Sequence, residues 1–424
     1  MKIAGKPVAW ARRAVLAVVL VGAAVVPGRA SSQQSQHCTG LHCKSAGSIL
    51  WTAALPGAWV AQDGVAGTVS GQNGAYAAAG GGIAVVGTGT TVSAFRESSG
   101  RQLWQVSLSG LSAGSVIVGV RAFAGVVAVG VEPPARQVTG REEVILSAAT
   151  GGPIRTYPAA TYGGAIRASV ASTVIVGTTA VTDYANSTGR VLWSRATGPA
   201  NQTWRVSGQY VYVTDSTRSS ARAAPVTLLR RISLRTGAER ILEPAARSRN
   251  KGKAGFAGSL SAVVGGVLLF AGSDGVSAYS AATGNWLWSR ASTSVELADG
   301  EPGTVYLASG NRLVGVSASA DAVVSRSPVS VAASLYWVVG GVALGLDEDA
   351  LGEAWGYDLK TKRVVWSSPA LPWPHFFVDL SGLGGSASPA SDIVLLATCA
   401  QIGPAPSATS APACLRPELA AVLI

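Results

Sequence analysis

"TGNWLWSR", residues 283–290, sets a turn directly against two tryptophans and a charge. In a chain with only 7% aromatic residues, Trp286 and Trp288 stand two apart, just after Thr283-Gly284. Side-chain direction flips at each residue of a strand, so this spacing predicts both rings on one face. Gly284 can enter φ > 0 without a Cβ clash, so the Thr-Gly pair supplies the turn. The stretch reads as the second half of a hairpin, with Trp288 as an apolar anchor and Trp286 extending its packing.

The hairpin recurs. Good copies are "AFRESSGRQLW" (94–104), "DYANSTGRVLW" (183–193), "AYSAATGNWLW" (278–288) and "GYDLKTKRVVW" (356–366), the last with Lys362 in place of glycine. Weaker copies, "ILSAATGGPIR" (145–155), "RISLRTGAERI" (231–241) and "GVSASADAVVS" (315–325), fill the gaps between them. Aligned on the tryptophan position they fall at 104, 155, 193, 241, 288, 325 and 366, in steps of 51, 38, 48, 47, 37 and 41 residues. Further apolar runs split by Gly-Gly, such as "SLSAVVGG" with "VLLFAGSDG", precede the copies. A period in the forties with about four short strands per unit is the signature of a β-propeller blade. The ends fit the same unit. "GSILW" (47–51) is a turn and tryptophan strand without its partner, and "ELAAVLI" (418–424) is an apolar strand without its turn. Together they make one shared blade, predicting eight four-stranded antiparallel blades over 47–424, closed by the N- and C-terminal strands.

The repeat resembles that of the pyrroloquinoline-quinone-like (PQQ-like) propellers, whose pattern runs A-x-D-x-x-T-G-x-x-x-W. Ala278, Thr283, Gly284 and Trp288 match it; so do Ala94, Gly100 and Trp104, Thr188, Gly189 and Trp193, and Asp358, Thr361 and Trp366. The aspartate is otherwise lost, and Arg155, Ile241 and Ser325 stand where three tryptophans would. The resemblance implies that Trp51, Trp104, Trp193, Trp288 and Trp366 dock between neighbouring blades as structural anchors. Burying such a ring removes on the order of 150–250 Å² from water.

Composition agrees with an all-β chain: 52 glycines, one methionine and 13% charged residues leave little for long helices. Residues 1–30 read as an export signal or an uncleaved signal anchor. Lys2, Lys6, Arg12 and Arg13 precede the uncharged 14–26 segment, and Gly28 and Ala30 offer a cleavage site. Thirteen apolar residues are fewer than the roughly 20 that span a bilayer. A flexible stalk, 31–46, follows. Without the five basic residues of 1–30, the chain carries 28 − 22 = +6, too mild an excess for a nucleic-acid protein.

Four cysteines lie only near the ends. "HCTGLHC" (37–43) reads as a small oxidised loop, with a metal site as the alternative. The Ser-Gln-His before Cys38 is not a lipoprotein cleavage site. Cys399 and Cys414 flank the Pro-, Ala- and Ser-rich "QIGPAPSATSAP". If the strands around it pair as a hairpin, the two thiols face each other and form a disulfide.

Catalytic signals are few. Three histidines, two of them in the stalk, give little for general base or triad chemistry. "GTGTT" and "GGSAS" lack the Gly-Lys-Ser/Thr of a phosphate loop. Quinoprotein relatives hold a quinone and a metal with acids and often a vicinal disulfide; the repeats carry few acids and no adjacent cysteines. "DEDALGE" (347–353) reads as a solvated hairpin tip, with calcium as the alternative. Segment 218–253 gathers ten basic residues, among them Arg230, Arg231, Arg235, Arg247, Arg249, Lys251 and Lys253, against two glutamates. It reads as solvated loops or as a patch for anionic polymers or lipid headgroups.

The expectation is an exported, monomeric, non-catalytic scaffold or binding module at the cell envelope, without cofactor. Its partners would be other envelope proteins or anionic envelope polymers, not nucleic acid, with membrane attachment through 8–26 if the signal stays. The alternatives are a PQQ-dependent dehydrogenase and a surface module for glycans.

Overall fold

The structure, a computed structural model, describes residues between 49 and 423 apart from several stretches, the longest being 61–74, 134–140, 218–225, 244–255, 368–375, 378–392 and 403–412. Lys44–Ile424 form one compact unit. The signal and stalk readings over 1–46, with Cys38 and Cys43, lie outside the described residues.

The chain is an all-β propeller of four-stranded antiparallel blades. Seven sheets are simple meanders of four successive strands, which we number II (75–107), III (116–159), IV (164–196), V (203–242), VI (259–290), VII (294–327) and VIII (334–367). Sheet I is composite: Ile49–Ala54 pairs with Ala413–Leu423, which pairs with Ile393–Ile402 and through it with Phe376–Phe377. The two ends of the chain therefore share a sheet. It has five strands rather than the predicted four, because Trp59–Val60 also runs along Ala413–Leu423.

Inner strands are apolar without alternation because both of their faces are covered. Val126–Glu132 is buried at six consecutive positions. The fourth strands, covered less, carry polar residues, as in Gln102–Ser107. First strands of successive sheets approach one another closely at three seams, as 75–80 does 116–123 and 203–207 does 259–264. They therefore line the axis, and the fourth strands form the rim. Six apolar clusters fill the seams from sheet II to sheet VIII. Between sheets VI and VII, for example, Leu269, Ala278 and Trp288 meet Val305, Leu307 and Val316.

The recurring turn has one construction. The amide of Gly100, Gly151, Gly189, Gly237 or Gly284 donates to the carbonyl four residues back, and φ at these glycines lies between 65° and 82°. Thr150, Thr188, Thr236 and Thr283, each one residue earlier, accept from the amide two residues on. That is the work of the threonine in the motif. Lys362 takes the same backbone at φ 58°, the one non-glycine at positive φ among the described residues.

A β-bulge follows each such turn except one. Opposite Ala278 stands Trp288, but opposite Tyr279 stands Trp286, so Leu287 is an extra residue. The same slip occurs in sheets I, II, III, IV, VII and VIII. It corrects the reading of 283–290: the alternation breaks at Leu287, and Trp286 is 42% exposed whereas Trp288 is 4% exposed. In sheet V, Val226–Ser233 pairs with Glu239–Leu242 with no slip at all.

Candidate functional site

The seams between sheets hold the residues that the sequence singles out. Trp51, Trp104 and Trp288 are buried, and each leans on the third-to-fourth turn of the following sheet. Their indole Nε1 groups donate to the carbonyls of Glu97 at 2.6 Å, Ala148 at 2.8 Å and Ala318 at 2.6 Å. Glu97 and Ala148 each stand three residues before the turn glycine. The glycine is needed here for space as well as for its φ. A Cβ on Gly100 or Gly151 would lie 2.6 Å from the ring of Trp51 or Trp104.

In sheets III and V, two of the three that lack the tryptophan, arginine reaches the same acceptor. Arg155 of sheet III sends Nε to the Asn186 carbonyl at 3.3 Å and Nη2 to that of Ser187 at 3.2 Å, over Gly189. Asn186 stands three residues before Gly189, the position that Glu97 and Ala148 hold. In sheet V the replacement comes from another strand: Arg231 Nη1 donates to Ala281, three residues before Gly284, at 3.2 Å. Arg231 also lies over the Tyr210 ring, 4.8 Å from its centroid. Arg205 adds a second clip, from its Nε to Ser261 O at 2.6 Å. Arg205, Tyr212 and Arg231 are directly opposite one another across three strands, so they share the face turned to sheet VI. Burial there lowers the Arg205 pKa, and it raises that of the Tyr212 hydroxyl against the opposing pull of Arg231.

Trp193 is an intermediate case. The residue opposite it is Asp183, where Trp104 and Trp288 face Ala94 and Ala278. Burial pushes the Asp183 carboxyl up, opposed by the nearby Ser172, Arg167 and Trp193; Trp193 Nε1 and Asp183 Oδ1 themselves have no hydrogen-bond partner among the described residues. Trp193 remains only partly buried, though its ring still covers Gly237, where a Cβ would lie 2.6 Å away. The link to sheet V passes instead to Arg195, whose Nε donates to Gly237 O at 2.6 Å.

The predicted anionic-partner patch is only partly described. Arg230 pairs with Glu239, Arg231 points into the seam, and Arg235 is exposed in its turn. Arg247, Arg249, Lys251 and Lys253 lie outside the described residues, as do His375 and most of 347–353. The backbone of Trp366 is opposite Gly356, the counterpart of Ala278, but its side chain is not described. Cys399 stands opposite Pro417 and Cys414 opposite Ile402, so this register does not set the two cysteines face to face.

One buried ionic cluster has no counterpart among the sequence motifs. Glu143, fully buried in sheet III, lies 3.4 Å from Arg121, and its Oε2 has no partner among the described residues. Arg141 lies beside it and donates from Nη2 to Val118 O at 3.1 Å; burial lowers its pKa, with Glu143 opposing. Glycines make the room: a Cβ on Gly130 would sit 2.5 Å from Arg141, and one on Gly164 of sheet IV 2.5 Å from Arg121. Two arginines around one carboxylate repel a cation, so the cluster is a polar seam between sheets III and IV rather than a metal site. No group of three or more metal-ligating side chains occurs among the described residues.

The family model described as outer membrane protein assembly factor BamB matches residues 140–368, from the third strand of sheet III through sheet VIII. No curated protein matches the chain. Among solved structures, BamB from Moraxella catarrhalis is 16% identical over 71% of this chain and 97% of its own, with a TM-score of 0.44. The computationally designed Ika8 protein is 12% identical over 85% and 99%, with a TM-score of 0.52. Sqt1 of Saccharomyces cerevisiae is 10% identical over 82% and 96%, with a TM-score of 0.51. At such identities the last two speak for the fold alone.

Proposed function

The chain belongs to the PQQ-like repeat family of the outer membrane protein assembly factor BamB, and from that premise we propose that it is an exported, non-catalytic binding or scaffold module of the cell envelope. The observation that carries the reading is the family match, which runs through most of the propeller. The use of polar side chains supports it. Arg155, Arg195, Arg205 and Arg231 are engaged with carbonyls between sheets rather than converging on one cavity. Catalysis requires convergent groups.

We further propose that the eight sheets close as one ring through sheet I, with its mixed N- and C-terminal strands as the lock. The module acts as a monomer that offers its faces to envelope proteins or to anionic polymers.

Two measurements test the reading together. A tagged chain should be cleaved by protease added outside the cytoplasmic membrane, while a cytoplasmic marker survives. Purified protein given pyrroloquinoline quinone and calcium should show no saturable heat of binding and no dye-linked alcohol oxidation. Protection from protease would remove the envelope placement, and stoichiometric quinone binding would replace the scaffold by a dehydrogenase.

A further inference from the structure

The two ends of the propeller differ in what they expose. In each meander the turn between first and second strands and the turn between third and fourth lie at one end, tied by backbone bonds such as Asn186 N to Ala171 O and Ala281 N to Gly266 O. Trp104 and Trp288 set the corresponding turns of neighbouring sheets side by side, so this turn end is continuous from sheet to sheet. Every large exposed apolar side chain among the described residues lies within four residues of one of these turns. Val170 is 67% exposed at the tip of its turn, and Val364 is 60% exposed. Val191, Trp286, Val323 and Val364 at the Trp286 position, with Ile241 two residues further along in sheet V, put at least one such residue on each of five consecutive sheets, IV to VIII, where sheets II and III have Gln102 and Pro153 at the Trp286 position.

The same turns are basic. Arg96, Arg101, Arg190, Arg235, Arg240 and Lys362 are exposed there. The acids among the described turn residues are Glu97, Glu239 and Asp358, of which Glu239 pairs with Arg230 and Asp358 accepts from the Thr361 amide.

We infer that the turn end docks on an anionic lipid bilayer surface, its apolar residues entering the headgroup layer and its arginines meeting lipid phosphates. Shallow insertion of apolar and tryptophan side chains beside basic ones is the chemistry of interfacial attachment. Each basic residue near an anionic leaflet adds to the attraction. The spacing also favours lipid over a protein partner. A protein hot spot gathers its anchors at the centre of a patch, whereas here exposed apolar groups are distributed over five successive sheets beside their turns, which suits a flat and laterally uniform partner. The inference goes beyond the binding-module reading and does not depend on which protein that module holds.

The full chain would be floated with vesicles of phosphatidylcholine alone and of phosphatidylcholine mixed with phosphatidylglycerol. Anionic vesicles should retain the protein better, and high salt should weaken retention. The set Val191→Ser, Leu192→Ser, Trp286→Ser and Val364→Ser should lower partition roughly tenfold or more while the melting temperature holds. A second readout isolates this surface from the apolar 14–26 segment: brominated acyl chains should quench wild-type fluorescence more than that of Trp286→Phe. Equal quenching in the two proteins would overturn the docking. So would binding lost with Arg190→Glu and Arg235→Glu but untouched by the serine set, which would assign the surface to a soluble polyanion.

Discussion

Sheets V and VI stand side by side and are locked to their neighbours by different chemistry. Sheet VI carries the whole motif: a Thr-Gly turn, a bulge at Leu287, and Trp288 buried against sheet VII with its N–H on Ala318. Sheet V has the same turn at Thr236-Gly237, but no bulge and no tryptophan on its fourth strand. Ile241, at the tryptophan position, is 46% exposed, and the apolar role falls to Leu242, which packs with Leu229 toward sheet VI. The hydrogen bond to the next turn is kept, given by Arg231 from a neighbouring strand. Between these two sheets the accepting carbonyl at the next turn is kept and the donor changes, whereas sheet IV shifts the acceptor too, to Gly237 O. A turn carbonyl held between sheets needs a donor, because leaving it buried and unpaired costs about 1–3 kcal/mol.

The largest test of that contrast lies in the apolar term. Trp288→Ala should cost about 3–5 kcal/mol, as for other large core truncations. Ile241→Ala should stay within about 0.5 kcal/mol, as at other exposed positions. Denaturant midpoints of the two variants would measure the gap. Similar losses would mean that sheet V uses its fourth strand as sheet VI does.

Arg231→Ala should have a smaller effect, about 1–3 kcal/mol, since it removes a charged donor from a partly buried carbonyl. Arg231→Lys should restore little, because an ammonium lacks the planar fork that can stack on Tyr210 while bonding Ala281. Full recovery with lysine would reduce the clip to a simple charge.

How much of this is legible in the sequence follows from the same contrast. The turn glycine, the Trp four residues later and the two half-motifs at the ends can be read, because each is a local rule with a fixed spacing. They lead to the propeller and to the sharing of sheet I. The bulge cannot be read: G-x-x-x-W counts the same residues whether or not Leu287 is extra, so alternation alone puts Trp286 on the buried face. Arg155 sits at the tryptophan position, and its replacement role is within reach of the alignment. Arg231 is not, since it comes from the third strand and looks, in sequence, like one more charge in a basic run. The Arg121–Glu143–Arg141 cluster leaves only scattered glycines as a signal. For Cys399 and Cys414, the pairing of the flanking strands follows from their apolar runs, but the register set by Ile402 and Pro417 depends on slips that no local rule encodes.

The smallest effect concerns Trp193, the tryptophan that shares features of both sheets. It faces Asp183 where Trp288 faces Ala278, and burial holds that carboxyl above its ordinary pKa. The sign follows from linkage. Below the unfolded-state value, about 3.9 for an aspartate, the group is protonated in both states and costs nothing. As pH rises toward the raised folded-state value, the unfolded chain releases its proton first, so stability falls. Above that value the loss is complete and constant. The substitution Asp183→Asn keeps the size of the side chain opposite Trp193 but removes the titration. The stability of Asp183→Asn relative to wild type should therefore climb from the ordinary carboxylate range upward and then level off, as followed by melting temperature across acid and neutral buffers. A difference that stays flat, or shrinks with rising pH, would show that the Asp183 carboxylate is not disfavoured by its place opposite Trp193, and would move sheet IV to the side of sheet VI.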